Sequence, residues 1–516
     1  MKMPFEAQAD LALMTKRDFL CAAGAAVVTL GLSSPAFAQS QGPYDLIVVG
    51  GGNSGLPTAI FAAARGARVL IVEAAGAVGG TLFMSSGQMS AAGTKLQKSK
   101  GIVDTPKSHY DDVMRISRGT ADPTLVKLAV DNAAPVFDWL MDHGFQVRDG
   151  HPETGTTHDP YTHARYAWGP EGGRSILKVL NEQLSPHIKS GRVTTLTQTE
   201  VVELVQDRNG AISGVIAKGA DGKRVQIDGR YTVLTCGGYT YNPEMYQKLE
   251  GVRLYTRMTY PYSKGAGITL GTGVGGYVRG AEKHTPLFGA VLTDTNFPTG
   301  ARAMVRHFPP DRPPYEIFVN ADGQRFLRED IPSHDAYEQG ILAQKDERCW
   351  VVFDDAILKA APPLVRGGMS GRWTPQDTLK AFENKTPMFF RGNTIDELAK
   401  AAGVDAAGLA KTIADFNRGQ ASGKDALGRK HMPLPIAKGP FYAIQLQSWT
   451  LVSYGGLGVD GRLQATKSDG TPIPNLYVAG ELLGMGQLMG QAVPGGMSVT
   501  PALALGRLLG HQILKF

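Results

Sequence analysis

The sequence predicts a mixed α/β fold, a Rossmann-like domain interrupted by a long α+β insert. Three observations predict it. Residues 44–73 read as strand, glycine turn, helix and strand. Further glycine-rich turns near residues 237, 480 and 495 have the form of returns to that domain. Between about 286 and 452 such signals disappear.

Each element has a local cause. Tyr44 to Val49 (YDLIVV) is an apolar run of strand length. Gly50-Gly51-Gly52-Asn53-Ser54-Gly55 follows and matches G-x-G-x-x-G. Leu56 to Arg65 is alanine-rich and helical in pattern, and Gly66 stops it. Ala67 to Val72 makes the second strand, closed by Glu73, 23 residues after Gly50. This is the context a dinucleotide site requires. Gly50 permits the tight turn, Gly52 admits a pyrophosphate to the backbone, and Gly55 lets helix and strand pack closely. The helix start, with Asn53 and Ser54, offers unpaired N–H groups to phosphate. Glu73 can accept from ribose hydroxyls. Residues 190–232 alternate apolar and polar, with turns at Asn209-Gly210 and Asp221-Gly222, and read as a β meander. Val202 in this meander joins the cofactor-site candidates. Thr394 to Arg418 reads as two amphipathic helices and is structural.

Composition narrows the class. The chain has 516 residues, 42% hydrophobic and 19% charged, which excludes a largely disordered protein. Glycine, at 64 residues, is in excess, as in folds with many close backbone approaches. The net charge of +6 comes from 53 basic and 47 acidic residues with no basic run, so nucleic acid is not an expected partner. Three cysteines without CxxC spacing exclude a disulfide scaffold, a zinc finger and an attached c-type haem, and no metal site is expected. Lys16-Arg17, an apolar stretch from Phe19 to Leu32 and Ala36-Phe37-Ala38 form an export leader over residues 1–38, similar to a twin-arginine signal. The expectation is a periplasmic protein, exported folded, with no stable membrane insertion after processing. The expected domains are 42–285 and 453–516 for the dinucleotide fold and 286–452 for the insert.

The next motifs choose the dinucleotide. Gly79-Gly80-Thr81 and Ser85-Ser86-Gly87 follow Glu73. Val233 to Tyr239 (VLTCGGY) gives a strand and a Gly-Gly return at Gly237. Leu476 to Glu481 (LYVAGE) and Pro494-Gly495-Gly496-Met497-Ser498 close the series. In these residues the chain resembles the flavoprotein subunits of fumarate reductase and succinate dehydrogenase. Within that family it is closest in character to the 3-ketosteroid desaturases and tricarballylate dehydrogenase-like members. The resemblance implies bound FAD and an inserted capping, or clamp, domain. Gly80, Thr81, Ser85, Ser86, Gly87, Gly237, Gly480 and Glu481 then line the cofactor, Glu481 at the ribityl hydroxyls. Gly495, Gly496, Ser498 and Val499 open the last helix, read as Met497 to Leu509, toward the flavin pyrimidine edge. No histidine lies between Met84 and Ala92, so the FAD is expected to be non-covalent.

The same resemblance constrains the substrate. The family's reductases place a proton-donating arginine after R-F-x-x-E. Here that motif is Arg325 to Glu329, and the donor position reads Ser333, followed by His334. Leu451-Val452 and Val493 stand where those reductases carry paired histidines and an arginine. Two buried carboxylates without cations are costly to desolvate, so a fumarate-type substrate is not expected. Aromatic groups remain: Trp449, Tyr454, the loop Asp159 to Trp168, and Tyr255, Tyr260 and Tyr262. They point to α,β-desaturation of a carbonyl compound such as a cyclic ketone or ketosteroid. A base removes the α-proton, a backbone N–H near Gly496 holds the enolate oxygen, and hydride passes to flavin N5. Tyr166, Tyr262, Tyr454 and His163 are the candidate bases. Arg312 could meet a substrate carboxylate or only solvent. The alternative is an ene-reductase of an unsaturated carboxylic acid. Either direction needs an external electron partner, a quinone or a cytochrome.

Overall fold

The computed structural model describes residues 43–155, 158–367 and 373–516. The leader read at residues 1–38 lies outside the described residues. The chain divides into two compact units. The first holds residues 43–252, 259–284 and 452–516, and the second holds 253–258 and 285–451.

The first unit is built on a parallel sheet. Strand β1 (Tyr44–Val49) pairs in parallel with β2 (Val69–Val72), and β2 with β3 (Val193–Leu196). The helix α1 (Gly55–Ala64) links β1 to β2. Helices α2 (Pro106–Ile116) and α3 (Gly173–Lys189) follow before β3. Next come β4 (Thr199–Gln206), β5 (Ile212–Gly219) and β6 (Arg224–Leu234), the meander read from the sequence. The long strand β6 joins two layers, because its start runs antiparallel to β5 and its end parallel to β1. Helix α4 (Pro243–Glu250) follows. Strands β7 (Gln464–Thr466) and β8 (Pro472–Val478) extend the sheet beyond β6, and helix α5 (Val499–Leu508) ends it. The order is β7-β8-β6-β1-β2-β3.

Burial explains the residue choice. β2 is VLIV and wholly buried, as expected for a parallel strand covered on both faces. Helix α1 is buried over all but its last residue, so it needs no polar face. Thr58 on α1 donates its hydroxyl to Ser54 O at 2.8 Å and is also 3.0 Å from Gly506 O on α5.

The second unit is an antiparallel seven-stranded sheet with helices. Its central strand, Phe441–Trp449, pairs with Arg348–Asp354, Leu287–Leu292 and Phe389–Gly392. The paired helices are Ile395–Ala402 and Ala406–Ser422. Thr394 caps the first, accepting from Glu397 N at 3.1 Å, and Gly403 ends it in the left-handed region.

Several readings change here. Arg312 is only 2% exposed, so it is not a solvent arginine. It is held by both oxygens of Glu316, at 2.5 and 3.0 Å, and donates Nε to Pro362 O. Arg325 is similarly held by Glu329 and Asp425. Ser333 caps the helix His334–Leu342, accepting from Ala336 N at 3.2 Å, so the donor position is a helix start. Tyr255 belongs to the second unit, edge-on to Phe297 at 5.2 Å, whereas Tyr260 and Tyr262 belong to the first.

Candidate active site

The nucleotide end forms where β1, β2, β6 and β8 end. A Cβ on Gly55 would stand 2.0 Å from Gly50 O, so only glycine lets α1 start so close to the turn. Gly51 N donates to Glu73 Oε2 and Ala75 N to Oε1, both at 2.8 Å. Burial raises the Glu73 pKa, and those two N–H groups oppose the rise. Ser54 Oγ is buried and has no partner among the described residues. Gly480 backs onto Ser54, and a Cβ on Gly52 would meet nothing nearer than Gly80 Cα at 3.8 Å. An orphaned buried hydroxyl beside an open glycine face fits an absent phosphate acceptor. Thr81 Oγ1 lies 3.3 Å from Asn53 Oδ1 at the rim. Val202 sits at a bulge of β4, where pairing steps from Val201 to Glu203, and its side chain is exposed. Only its backbone can contribute to a buried site.

The late glycine turn builds a second group. Gly496 has φ +79°, and a Cβ there would stand 2.5 Å from Ser90 N. Ser90 N donates to Thr500 Oγ1 on α5 at 2.8 Å, which locks the turn to the helix start. None of the described residues accepts from the Gly496 N–H. Ser498, at the N-cap of α5, makes no side-chain cap bond; Thr500 N donates to Gly496 O at 3.0 Å and Met497 N to Pro494 O at 3.2 Å, which leaves the Ser498 and Val499 N–H groups without an acceptor among the described residues. Helix α5 starts two residues later than the sequence pattern implied, which leaves Met497 and Ser498 in the turn.

Tyr166 is brought to this turn. Its backbone pairs with Ser90, and its ring lies against Gly495, where a Cβ would be 2.9 Å from Cε2. The side chain is fully buried and sits edge-on to Trp168 at 5.3 Å. Nearby, Gly87 N donates to Ser85 Oγ at 2.9 Å, and Gly87 packs on the Gly173 backbone at the start of α3. Ser86 is exposed.

A third group surrounds Tyr454. Glu481 Oε1 accepts from Ser453 N at 2.9 Å and Ser453 Oγ at 3.0 Å, and burial followed by the neighbouring Glu250 charge raises its pKa overall. Gly237 has φ +76°, and the next residue, Gly238, leaves room for Glu481 and Ser453. Glu250 at the end of α4 accepts from Tyr239 OH at 2.5 Å and from Tyr454 N at 2.8 Å. The Tyr454 ring packs edge-on to His284 at 5.8 Å and is 1% exposed.

The other two candidate bases lie elsewhere. His163 is half-exposed, with Nδ1 at 3.0 Å from Thr162 Oγ1 and 3.3 Å from Ser108 Oγ. Tyr262 meets Tyr260 at 5.5 Å with the rings tilted by 42°, and the Tyr260 pKa is raised by burial and then by the Glu73 charge. That charge marks the nucleotide end. Neither Tyr262 nor His163 has a hydrogen bond or ring contact with Gly495 or Gly496.

Sequence reasoning missed Tyr161, Arg165, Asp104, Asp112 and Glu250. Arg165 is 1% exposed and bridges Asp104 at 2.8 Å and Asp112 at 2.9 Å. The signal was present for two of these, since Tyr161 and Arg165 lie in the loop already singled out.

With this geometry in place, the comparisons are decisive about family. A family profile described as an FAD binding domain matches residues 45–498. The chain belongs to this family. It is similar to a probable fumarate reductase of Shewanella frigidimarina, 30% identical over 93% of this chain and 76% of that one. It is also similar to a 4-oxocyclohexanecarboxylate 2-dehydrogenase of Sinomonas cyclohexanicum, 24% identical over 91% of this chain and 92% of the other. In fold it is similar to the 3-ketosteroid delta1-dehydrogenase of Sterolibacterium denitrificans, with TM-score 0.71 and 18% identity over 92% of this chain and 99% of that one. The protein is an FAD-dependent oxidoreductase of carbon–carbon single and double bonds. Gly52, Ser54, Glu73 and Gly480 at the nucleotide end, Glu481 beside Gly238, and the turn at Gly495 and Gly496 are the candidate FAD contacts. No helix among the described residues is long and apolar enough to cross a membrane.

Proposed function

We propose that this enzyme desaturates a carbonyl compound, such as a cyclic ketone or ketosteroid, at the α,β-position, with FAD held non-covalently. The observation that carries the reading is the Gly496 N–H. It has no acceptor among the described residues, it is fixed by Ser90 and Thr500, and it stands beside the buried Tyr166 ring. The neighbouring Val493 brings no charge to this turn. A neutral ketone oxygen suits such a donor, and the bond strengthens as the oxygen becomes an enolate. Bound FAD supplies a two-electron hydride acceptor. Of the four candidate bases, Tyr166 is the one set against the turn, so we assign it the α-proton. The electrons leave to a quinone or a cytochrome.

Tyr166→Phe tests the assignment. It keeps the ring against Gly495 and removes the hydroxyl. The expected result is a loss of turnover of about a hundredfold or more, the usual contribution of a positioned base. Full turnover with an unchanged pH profile contradicts Tyr166 as the base.

A second reading has its own support. The Shewanella relative, at 30% identity, is named a probable fumarate reductase. An ene-reductase of an unsaturated acid would use the same flavin in the opposite direction. The uncharged Val493 and the helix-capping Ser333 weigh against it, because Val493 cannot balance a carboxylate charge and Ser333 is a poor donor of the proton that the second alkene carbon needs.

A further inference from the structure

The Gly495 carbonyl and the Gly496 N–H belong to one peptide group. Tyr161 donates its hydroxyl to that carbonyl at 2.5 Å. A phenol has one proton, so the 3.5 Å approach between Tyr161 and Ser90 Oγ leaves Ser90 as donor to the phenol oxygen. Tyr161 is 4% exposed, and burial raises the pKa of its hydroxyl, which keeps it protonated.

Its surroundings fix the ring. The Arg165 guanidinium lies 5.1 Å from the ring centroid, itself held by Asp104 and Asp112. His109 meets the same ring edge-on at 5.5 Å. Burial first, then Arg165, pushes the His109 pKa down to about 3, so it adds no charge. Neither of its ring nitrogens has a partner among the described residues, so it takes no bond from the phenol. The chain of contacts therefore runs from a buried cation through a phenol to one side of a peptide whose other side carries a free N–H.

We propose that Tyr161 is a positioning residue that polarises the 495–496 peptide and so strengthens the Gly496 N–H as an oxyanion donor. A hydrogen bond accepted at a carbonyl draws electron density from the amide nitrogen, and serial bonds reinforce one another in a low-dielectric interior. The inference rests on the reading of Gly496 as an oxyanion donor. The oxyanion has two possible sources, the reduced flavin pyrimidine or the substrate enolate, and both present the same chemistry to an N–H.

Two binding measurements on the FAD-loaded enzyme separate the sources without turnover. Sulfite affinity, read from the flavin absorbance, reports stabilisation of negative charge on the flavin. Binding of 4-nitrophenolate, read from its own absorbance, reports stabilisation of an enolate-like oxygen. Tyr161→Phe keeps the ring, and its FAD content and circular dichroism check folding. It is expected to weaken one of the two ligands about tenfold. The ligand affected identifies the source. Site-specific Tyr161→3-fluorotyrosine makes the phenol a stronger donor and is expected to tighten the same ligand. This second variant tests the proposal even where the phenylalanine folds poorly. Both affinities within about twofold of wild type across the series would overturn it. Failure of the desaturase reading shows separately, as absence of flavin reduction by ketones, with both binding assays still measurable.

Discussion

At the scale of the residue, Arg165 is the most exacting position. Burial alone would raise the Asp104 and Asp112 carboxyls. Hydrogen bonds from Arg165 and Gln97 outweigh it at Asp104, and bonds from Thr162 and Arg115 with the Arg165 charge outweigh it at Asp112. Both carboxyls are held below their ordinary range. A depressed carboxylate contributes stability that is fully present above its unfolded pKa, about 3.9, and is lost as pH falls through the lower folded value. Arg165→Met leaves buried Asp104 without a cation and Asp112 with Arg115 alone. The expected cost at pH 7 is about 3–5 kcal/mol, read from urea denaturation. The two carboxyls then titrate upward, so the variant's deficit shrinks toward pH 4. An equal deficit at both pH values contradicts this account of the ion triad.

At the scale of the element, the glycine turn that opens α5 sets the geometry of the site. Gly496→Ala combines a positive φ with a Cβ 2.5 Å from Ser90 N, so the turn must shift. The expected result is FAD binding weakened about tenfold or more, measured by flavin fluorescence titration. Unchanged FAD affinity would mean the turn lies away from the cofactor. This scale also shows where legibility ends. The β1–α1–β2 unit was readable because glycine spacing, helix pattern and the terminal Glu73 lie within 30 residues. The helix pair at 395–422 was readable because its caps are local. Tyr161 was not assigned a role, because its bond to Gly495 spans 334 positions and no period connects them. Tyr166 was one of four equal candidates until the pairing of Ser90 with Tyr166 set it on the turn. Arg312 was misjudged although Glu316 stands four residues later, a spacing that marks a paired arginine as readily as a free one.

At the scale of the whole molecule, one unit carries every residue assigned to the cofactor and to the Tyr166–Gly496 turn. In the second unit Arg312 pairs with Glu316, Arg325 with Glu329 and Asp425, and Arg429 with Glu329. Those pairs occupy the three guanidiniums of Arg312, Arg325 and Arg429. The direction of the reaction is the central claim, and it follows from neutral chemistry at the turn. The most direct test mixes oxidised, FAD-loaded enzyme without oxygen with saturated cyclic ketones, ketosteroids and 4-oxocyclohexanecarboxylate. The desaturase account predicts that at least one class bleaches the flavin absorbance and yields the matching enone. No bleaching by any of them, together with reoxidation of the prereduced enzyme by unsaturated acids, would contradict it and establish the reductase.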